Sequence, residues 1–210
     1  MMVGMGLREM KKRQTRQNIS DQATRLFLRH GFDRVTIADV AAAAQVAKMT
    51  VTNYFPRKED LALDLHEEFV GLLARTVAGR APGESALAAL RRAFLDAAHR
   101  HDPVIGFSGP DFARMITESP ALVSRLREFH EEREDALAAV LAAETAAAPD
   151  DPLPRLVAAQ FGAVHRVLFQ ETVRRTLDGR PPDEIAAALA KSGRTAFDLL
   201  SPSLNDYAVR

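Results

Sequence analysis

The sequence predicts an all-α protein, and three observations support this fold class. Alanine is abundant and aromatic residues make up only 6% of the 210 residues, a composition that favours helices over sheets. Apolar residues recur at helical spacing along most of the chain. Gly and Pro concentrate in short breaks between these segments, such as Ala81–Gly83 and Pro149–Pro152. The breaks divide the chain into about nine predicted helices.

The first predicted helix runs from about Lys12 to His30. It ends at Gly31, a residue that commonly follows the last helical turn. Its buried face is predicted to carry the apolar residues spaced three and four apart, which are Ile19, Ala23, Leu26 and Phe27.

Two short helices separated by a tight break follow, and this arrangement is typical of a helix-turn-helix. Thr36 followed by Asp39 predicts a capping box at the start of the first of them. Gln45 and Val46 form the turn. The second helix is predicted from about Lys48 to Tyr54, with one buried side.

Val51 and Phe55 fit the buried side of this second helix because they are four residues apart. The remaining positions carry Lys, Thr and Asn, residue types that reach base edges and phosphates. The spacing alone leaves open that these are simply solvated polar residues.

The rest of the chain is predicted to be helical with short connections. A long fourth helix is expected from about residue 57 to residue 79, and residues 104–110 are expected to form a loop or a short irregular helix. The other predicted helices cover about residues 84–101, 111–117, 121–147, 153–177 and 183–200.

Charge is distributed unevenly between the two ends of the chain. Residues 1–60 hold 11 Lys and Arg against 6 Asp and Glu, whereas residues 61–210 hold 17 against 22. A basic head on an acidic body suits a protein that brings one end to DNA. Much of the excess lies between Arg8 and Arg16, which predicts a disordered basic arm that neutralises phosphates; a merely solubilising tail is the alternative.

Several other classes of protein are disfavoured by the sequence. The chain has no Cys, so neither a disulfide framework nor a cysteine metal site is possible. It has no apolar run of the ~18–20 residues that span a bilayer and no secretion signal, so we expect a soluble cytoplasmic protein. No phosphate-binding loop or nucleophile elbow is present, and the six His lack metal-ligand spacing. We therefore expect no catalytic residue, no metal and no cofactor.

A ligand pocket inside the second half of the chain is a further hypothesis. Apolar walls could come from Phe69, Leu73, Phe94, Phe107, Phe112, Met115, Phe129, Phe161 and Phe169. Polar groups that fix a ligand's orientation could come from His130, His165 and Gln160. The alternative is that these residues only build the core.

Residues 13–65 as a whole resemble the N-terminal domain of the TetR family of bacterial transcriptional regulators. The resemblance rests on Ala23, Leu26-Phe27, Gly31-Phe32, Thr36–Ala41, Val46, Tyr54-Phe55 and Lys58–Leu61 in one register. It implies a three-helix DNA-binding head, a larger helical domain that binds a small-molecule effector, and a homodimer formed through the last two helices.

This chain departs from the family pattern in its turn. Gln45 stands where Gly is usual and Ala47 where Ser is frequent, so the recognition helix lacks a side-chain cap. That loss costs about 1 kcal/mol of local helix stability. An aromatic residue is common at the position of Thr52, and Ser at the position of Arg57. These departures affect the expected operator sequence more than the expected function.

We therefore predict a head over residues 1–57 and an effector-binding and dimerisation domain over residues 58–210. The residues expected to contact operator DNA are Thr36, Lys48, Met49, Thr50, Thr52, Asn53, Tyr54 and Lys58. Thr50, Thr52 and Asn53 are expected at base edges, and Thr36, Tyr54 and Lys58 at phosphates. The expected function is a homodimeric repressor that a small molecule releases from its operator.

Two alternatives remain open from the sequence. One is a helical small-molecule-binding protein or enzyme with a vestigial DNA-binding head. The other is an activator, or an autoregulator without an effector, because the sign of regulation depends on where the operator lies.

Overall fold

The computed structural model describes residues 6–210, which form ten α-helices and one 3-10 turn. The all-α fold class is confirmed for this part of the chain, whose extended pairing is limited to an isolated bridge between Ser85 and Val209. No helix within it is long and apolar enough to cross a membrane. The helices are α1 (Leu7–His30), α2 (Ile37–Ala43), α3 (Lys48–Tyr54), α4 (Lys58–Ala62), α5 (His66–Ala78), α6 (Ala86–His99), α7 (Pro110–Glu118), α8 (Pro120–Glu144), α9 (Leu153–Leu177) and α10 (Pro182–Leu204), and the 3-10 turn is Pro103–Ile105.

The helices group into two compact units. The first contains the residues up to Asp64 together with Arg114–Arg125, and the second contains Leu65–Ala113 together with Leu126–Arg210. Helices α7 and α8 therefore contribute residues to both units. The functional boundary expected between residues 57 and 58 stays a prediction.

Helix α1 begins earlier than predicted. The sequence predicted a helix from about Lys12 behind a disordered arm, but the helix starts at Leu7 and includes the basic run Arg8–Arg16. This stretch consists mostly of good helix formers, and Glu9 lies 3.9 Å from Arg13 one turn later. The basic groups therefore lie along an exposed helix. The first five residues of the predicted arm are outside the described part of the chain.

The predicted long fourth helix is two helices, which raises the number from nine to ten. The sequence predicted one helix over residues 57–79, whereas Leu63–Leu65 separates α4 from α5. In a continuous helix the Asp64 carbonyl would accept from an amide four residues later. Here it accepts a hydrogen bond of 2.9 Å from Arg16 Nη2, and the Asp64 carboxylate accepts from the Ser20 hydroxyl. Contacts from α1 thus favour the interruption.

Helices α1, α2 and α3 enclose the small core of the first unit. The rings of Phe27 and Phe32 lie 5.0 Å apart between centroids. Val40 from α2, Val51 from α3 and Phe55 just after α3 are at most 1% exposed. These contacts fix α3 along its inner side and leave its outer side to solvent.

The larger core belongs to the second unit and is built from α5, α6, α8, α9 and α10. Its largest side chains include Phe94, Phe161 and Phe197, each at most 2% exposed. Helix α10 approaches α6 closely at Gly193, where an added Cβ would lie 2.6 Å from Phe94 Cε1. This close approach explains why a small residue occupies position 193.

The C-terminal segment folds back onto the connection between α5 and α6. Arg80 is buried there, donates a hydrogen bond of 2.8 Å to the Ala208 carbonyl, and lies 2.5 Å from the Glu144 carboxylate. Arg210 donates to the Ala78 carbonyl at 2.8 Å. Arg80 therefore joins three parts of the second unit through one buried guanidinium.

Candidate DNA-binding surface and the core of the second unit

The first helix of the helix-turn-helix begins with the predicted capping box, which the structure confirms. The Thr36 amide donates to Asp39 Oδ2 at 2.8 Å, and the Asp39 amide donates to Thr36 Oγ1 at 3.2 Å. The hydrogen bonds from Thr36 lower the pKa of Asp39. Because the Thr36 hydroxyl also donates to Asp39, at 2.7 Å, a phosphate contact would require this hydroxyl to reorient. That contact stays a prediction.

The turn between α2 and α3 is a Schellman motif with Gln45 at the position glycine usually holds. The Gln45 amide donates to the Ala42 carbonyl at 3.2 Å, and the Val46 amide donates to the Ala41 carbonyl at 3.0 Å. Gln45 has φ of 56°, in the left-handed region. A non-glycine residue is strained in this region, and the two hydrogen bonds of the turn hold Gln45 in it.

Helix α3 presents a polar outer side above its buried anchor. It begins after Ala47, whose side chain makes no cap hydrogen bond, as the sequence predicted. Met49 is 69% exposed while Val51 is fully buried. Lys48 and Asn53 are also exposed. The other α3 residues that were predicted to contact DNA are half-buried, and these are Thr50, Thr52 and Tyr54.

Besides Thr36, two more of the predicted DNA-contacting side chains have partners within the protein. The Thr52 hydroxyl donates to the Met49 carbonyl at 3.1 Å, so its oxygen is left as an acceptor. Lys58 is half-buried, with Nζ 4.3 Å from the centre of the Phe32 ring and 3.4 Å from the Asp33 carbonyl oxygen. Its stem therefore packs against the first unit, and its phosphate contact stays a prediction.

The structure buries most of the residues predicted to contact a ligand. Within the second unit, the residues that are at most 9% exposed are Phe69, Leu73, Phe94, Phe107, Phe129, His130, Phe161, His165 and Phe169. Phe112 is half-buried and Gln160 is exposed. Met115 is half-buried and belongs to the first unit, so it is not part of this group. Contact between a ligand and any of these residues stays a prediction.

Aromatic rings surround the two predicted histidines. His130 lies 5.1 Å from Phe69 and 5.6 Å from Phe169, measured between ring centroids, with both pairs edge-on. His165 lies 5.7 Å from Phe94 and 5.8 Å from Phe197. Each imidazole is therefore held in an apolar environment that disfavours its charged form.

A buried arginine lies beside these histidines. The Arg133 side chain is 1% exposed, and its Nη2 donates to His130 Nδ1 at 2.8 Å. Its guanidinium carbon lies 4.4 Å from the centre of the Phe69 ring. In the described part of the chain, Arg133 Nε and His165 Nε2 are buried without a hydrogen-bond partner. Such orphaned polar atoms are uncommon in protein interiors.

Burial and positive charge shift the pKa values of this group. Burial, followed by the charges of Arg133 and Arg166, lowers the pKa of His130 to about 3. Burial is also the main cause that lowers the pKa of His165. Burial lowers the pKa of Arg133 to about 10. At neutral pH the cluster formed by His130, His165 and Arg133 therefore holds two neutral imidazoles and one charged guanidinium.

Arg133 is the residue of this cluster that the sequence reasoning missed. Phe129, Arg133 and Leu137 are spaced four apart, so Arg133 lies on the apolar face of α8. A charged residue at such a position is a signal that periodicity could have provided.

The described residues contain no group of three acidic, His or Cys side chains able to hold a metal ion.

Comparisons with known proteins agree with this architecture. Residues 19–65 match the family model described as bacterial regulatory proteins, tetR family, and residues 84–203 match the model of the MftR C-terminal domain. The HTH-type transcriptional regulator TcmR of Streptomyces glaucescens is 32% identical over 209 residues, which cover 96% of this chain and 89% of TcmR.

Solved structures show the same fold. The SmeT–triclosan complex has a TM-score of 0.56 at 18% identity and covers 94% of each chain. NalD of Pseudomonas aeruginosa, the secondary repressor of the MexAB-OprM multidrug efflux pump, has a TM-score of 0.52 at 17% identity, covering 89% of this chain and 97% of NalD. Together with the helix-turn-helix built by α2 and α3, the match over both parts of the sequence shows that this chain is a DNA-binding transcriptional regulator of the TetR family.

Proposed function

We propose that this regulator is a homodimeric repressor that leaves its operator when a small molecule binds the second unit. The observation that carries the DNA-binding part is the two-sided character of α3. Val51 and Phe55 anchor the helix, while Lys48, Met49 and Asn53 extend from it into solvent. A short helix held in this way can enter the major groove with its outer side chains facing base edges.

Dimerisation is supported by apolar side chains that α9 and α10 leave uncovered. Leu156 is 57% exposed, Val167 is 60% exposed and Leu199 is 77% exposed. Leu156 and Val167 lie eleven residues apart on α9, and this spacing places them on the same face of a helix. A second copy of the chain that packs its own α9 and α10 here would bury these side chains in a four-helix bundle.

Release by an effector requires a ligand that binds better to the form with low operator affinity. In the proposal, binding in the second unit changes the separation of the two recognition helices. Half-sites lie about 34–36 Å apart, or a multiple of this distance, so a dimer with altered spacing would lose contact with one of them. The chain passes between the units at the α4–α5 connection and within helices α7 and α8, and these connections are the covalent paths for this coupling.

Substitutions in α3 test the groove assignment. Asn53→Ala and Thr52→Ala should reduce the preference for operator over random DNA, because a good base contact is worth about 1–3 kcal/mol, while protein stability changes little. Lys58→Met should weaken binding to all DNA and lower the salt slope by about 1, and methionine keeps the stem that packs on Phe32. The matched control is Lys191→Met at an exposed position of α10. Unchanged operator binding in all three α3 and α4 variants would refute the assignment.

Substitutions in α9 and α10 test the interface separately. Val167→Glu and Leu199→Glu should convert the dimer to a monomer in sedimentation velocity, because each places a charge in the proposed apolar contact. Leu28→Glu on α1, where the native side chain is 46% exposed, is the control and should leave the dimer intact. Dimers that persist in both α9 and α10 variants would place the interface elsewhere.

A further inference from the structure

Arg133 carries a buried positive charge without an acidic partner. Its side chain is 1% exposed, and within the described residues no carboxylate oxygen lies within 4.0 Å of its guanidinium. The neighbouring Glu134 carboxylate instead accepts from Arg166 Nη1 at 3.0 Å. The single hydrogen-bond partner of the Arg133 side chain in this part of the protein is the uncharged imidazole of His130.

An arrangement of this kind is costly for a protein that only needs a stable core. A buried ion without an opposite charge loses its hydration and recovers little in return. The ring of Phe69 offsets part of this cost through its face, which attracts the cation. The Nε–H remains unpaired, and a guanidinium with a free donor is suited to a carboxylate oxygen.

The surroundings of Arg133 restrict what could supply that carboxylate. Apolar rings lie next to His130. The rings of Phe69 and Phe169 are close to its imidazole and to each other, and the Phe129 ring is close to Phe69. His165 contributes a buried Nε2 that also lacks a partner within the described residues. Among the described residues, a highly charged phosphate or a dicarboxylate would meet a single buried guanidinium here, because the nearby Arg166 is 41% exposed and already paired with Glu134. A molecule with one carboxylate and an apolar remainder matches both the charge and the rings.

We propose that the effector of this regulator is a small apolar acid whose single carboxylate accepts hydrogen bonds from Arg133, with the apolar part against the surrounding phenylalanines. This inference rests on the proposed effector response, since it names the chemical class of that effector. The carboxylate neutralises the buried guanidinium and occupies its free donor, and His165 Nε2 lies in the same cluster as a further polar atom.

The test compares acids with their neutral amides on the full-length dimer. The probes are benzoate, 2-naphthoate and dodecanoate, each paired with benzamide, 2-naphthamide or dodecanamide, and binding is measured by calorimetry. A hydrogen-bonded ion pair should make the best acid about 10- to 100-fold tighter than its amide. Equal affinities within every pair, or no binding by any acid, would overturn the proposal.

Substitution of the arginine provides the second measurement. Arg133→Met keeps the volume and removes the charge, so it should abolish the preference for the acid while leaving the apo protein as stable as the wild type or more so. Arg127→Met, on the exposed side of α8, should keep the preference. A preference that survives in Arg133→Met would refute the assignment. If that variant does not fold, the comparison of acid and amide on the wild type decides alone.

The same titration performed with operator DNA separates this inference from the proposed function. Acids that bind through Arg133 but leave operator affinity unchanged would support the site and contradict the effector response. Neutral amides that release DNA as well as the acids would support the response and contradict the acid-specific site.

Discussion

Lowering the pH should destabilise this protein through the buried imidazole of His130. Its pKa falls from an unfolded value of 6.5 to about 3 in the folded protein, so the unfolded chain binds the proton first as the pH decreases. The stability contribution is therefore complete above about pH 6.5 and is lost progressively below it. Acidification to pH about 5 lies about 1.5 units below the unfolded pKa, which corresponds to a loss of about 2 kcal/mol from this group.

The variant His130→Gln isolates this contribution, because its side-chain oxygen can still accept from Arg133 Nη2. We expect the loss of stability between about pH 8 and about pH 5 to be about 2 kcal/mol smaller in the variant than in the wild type. Urea unfolding at one fixed protein concentration measures this difference, since the stability of the proposed dimer would depend on concentration. At the higher pH, the difference in unfolding free energy between wild type and variant reports only the packing cost of the substitution. His165, whose pKa is also lowered by burial, should add a loss of the same sign in both proteins. Parallel pH profiles for wild type and variant would refute the reasoning.

Three further substitutions test particular features of the structure. Gln45→Gly should stabilise the head by up to about 1 kcal/mol, because relief of left-handed strain exceeds the entropy cost of glycine; slower hydrogen exchange in α2 and α3 would show this, and an equal gain for Gln45→Ala would contradict it. Arg80→Met should cost about 3 kcal/mol in urea unfolding because it leaves buried carbonyls and a carboxylate unpaired, whereas exposed Arg155→Met should be neutral within about 0.5 kcal/mol. Gly193→Ala should cost about 1–3 kcal/mol because its Cβ would lie 2.6 Å from the Phe94 ring; an unchanged midpoint would show that this ring moves freely.

Short capping and helix-breaking signals in the sequence were sufficient to predict where some of the helices begin and end. The predicted bounds of α9, residues 153–177, agree with the structure because Pro152 precedes the helix and Asp178-Gly179 follows it. The capping box of α2 was predicted from two residues three apart. The limits of α3 were also predicted, and the absence of a side-chain cap at Ala47 was expected from the comparison with the family pattern.

Features that depend on contacts between distant residues were not predicted. The interruption between α4 and α5 depends on Arg16 and Ser20, which bond Asp64 from 48 and 44 residues away. Helical periodicity continues through that point, so the pattern gave one helix. Helix α1 extends back to Leu7 because basic residues are good helix formers, although a run of cations suggested an arm.

The exposed side of α3 was easier to predict from the sequence than the buried cluster around Arg133. Val51 and Phe55 occupy the buried side of α3. The residues on its other side, which include Lys48, Met49 and Asn53, are therefore exposed. Arg133 was missed because charged residues are seldom fully buried, and its rings come from α5 and α9 as well as its own helix. Only the packed structure brings these groups together.

Binding of the purified protein to DNA from just upstream of its own coding region tests the central claim most directly. Fluorescence anisotropy at about 50 mM and about 200 mM salt would measure both affinity and its salt dependence. We expect an affinity about a thousandfold above that for random DNA, falling steeply with salt, and a preference that Asn53→Ala reduces by about 5- to 150-fold. Weak binding that is equal for operator and random DNA, in wild type and variant alike, would contradict the claim.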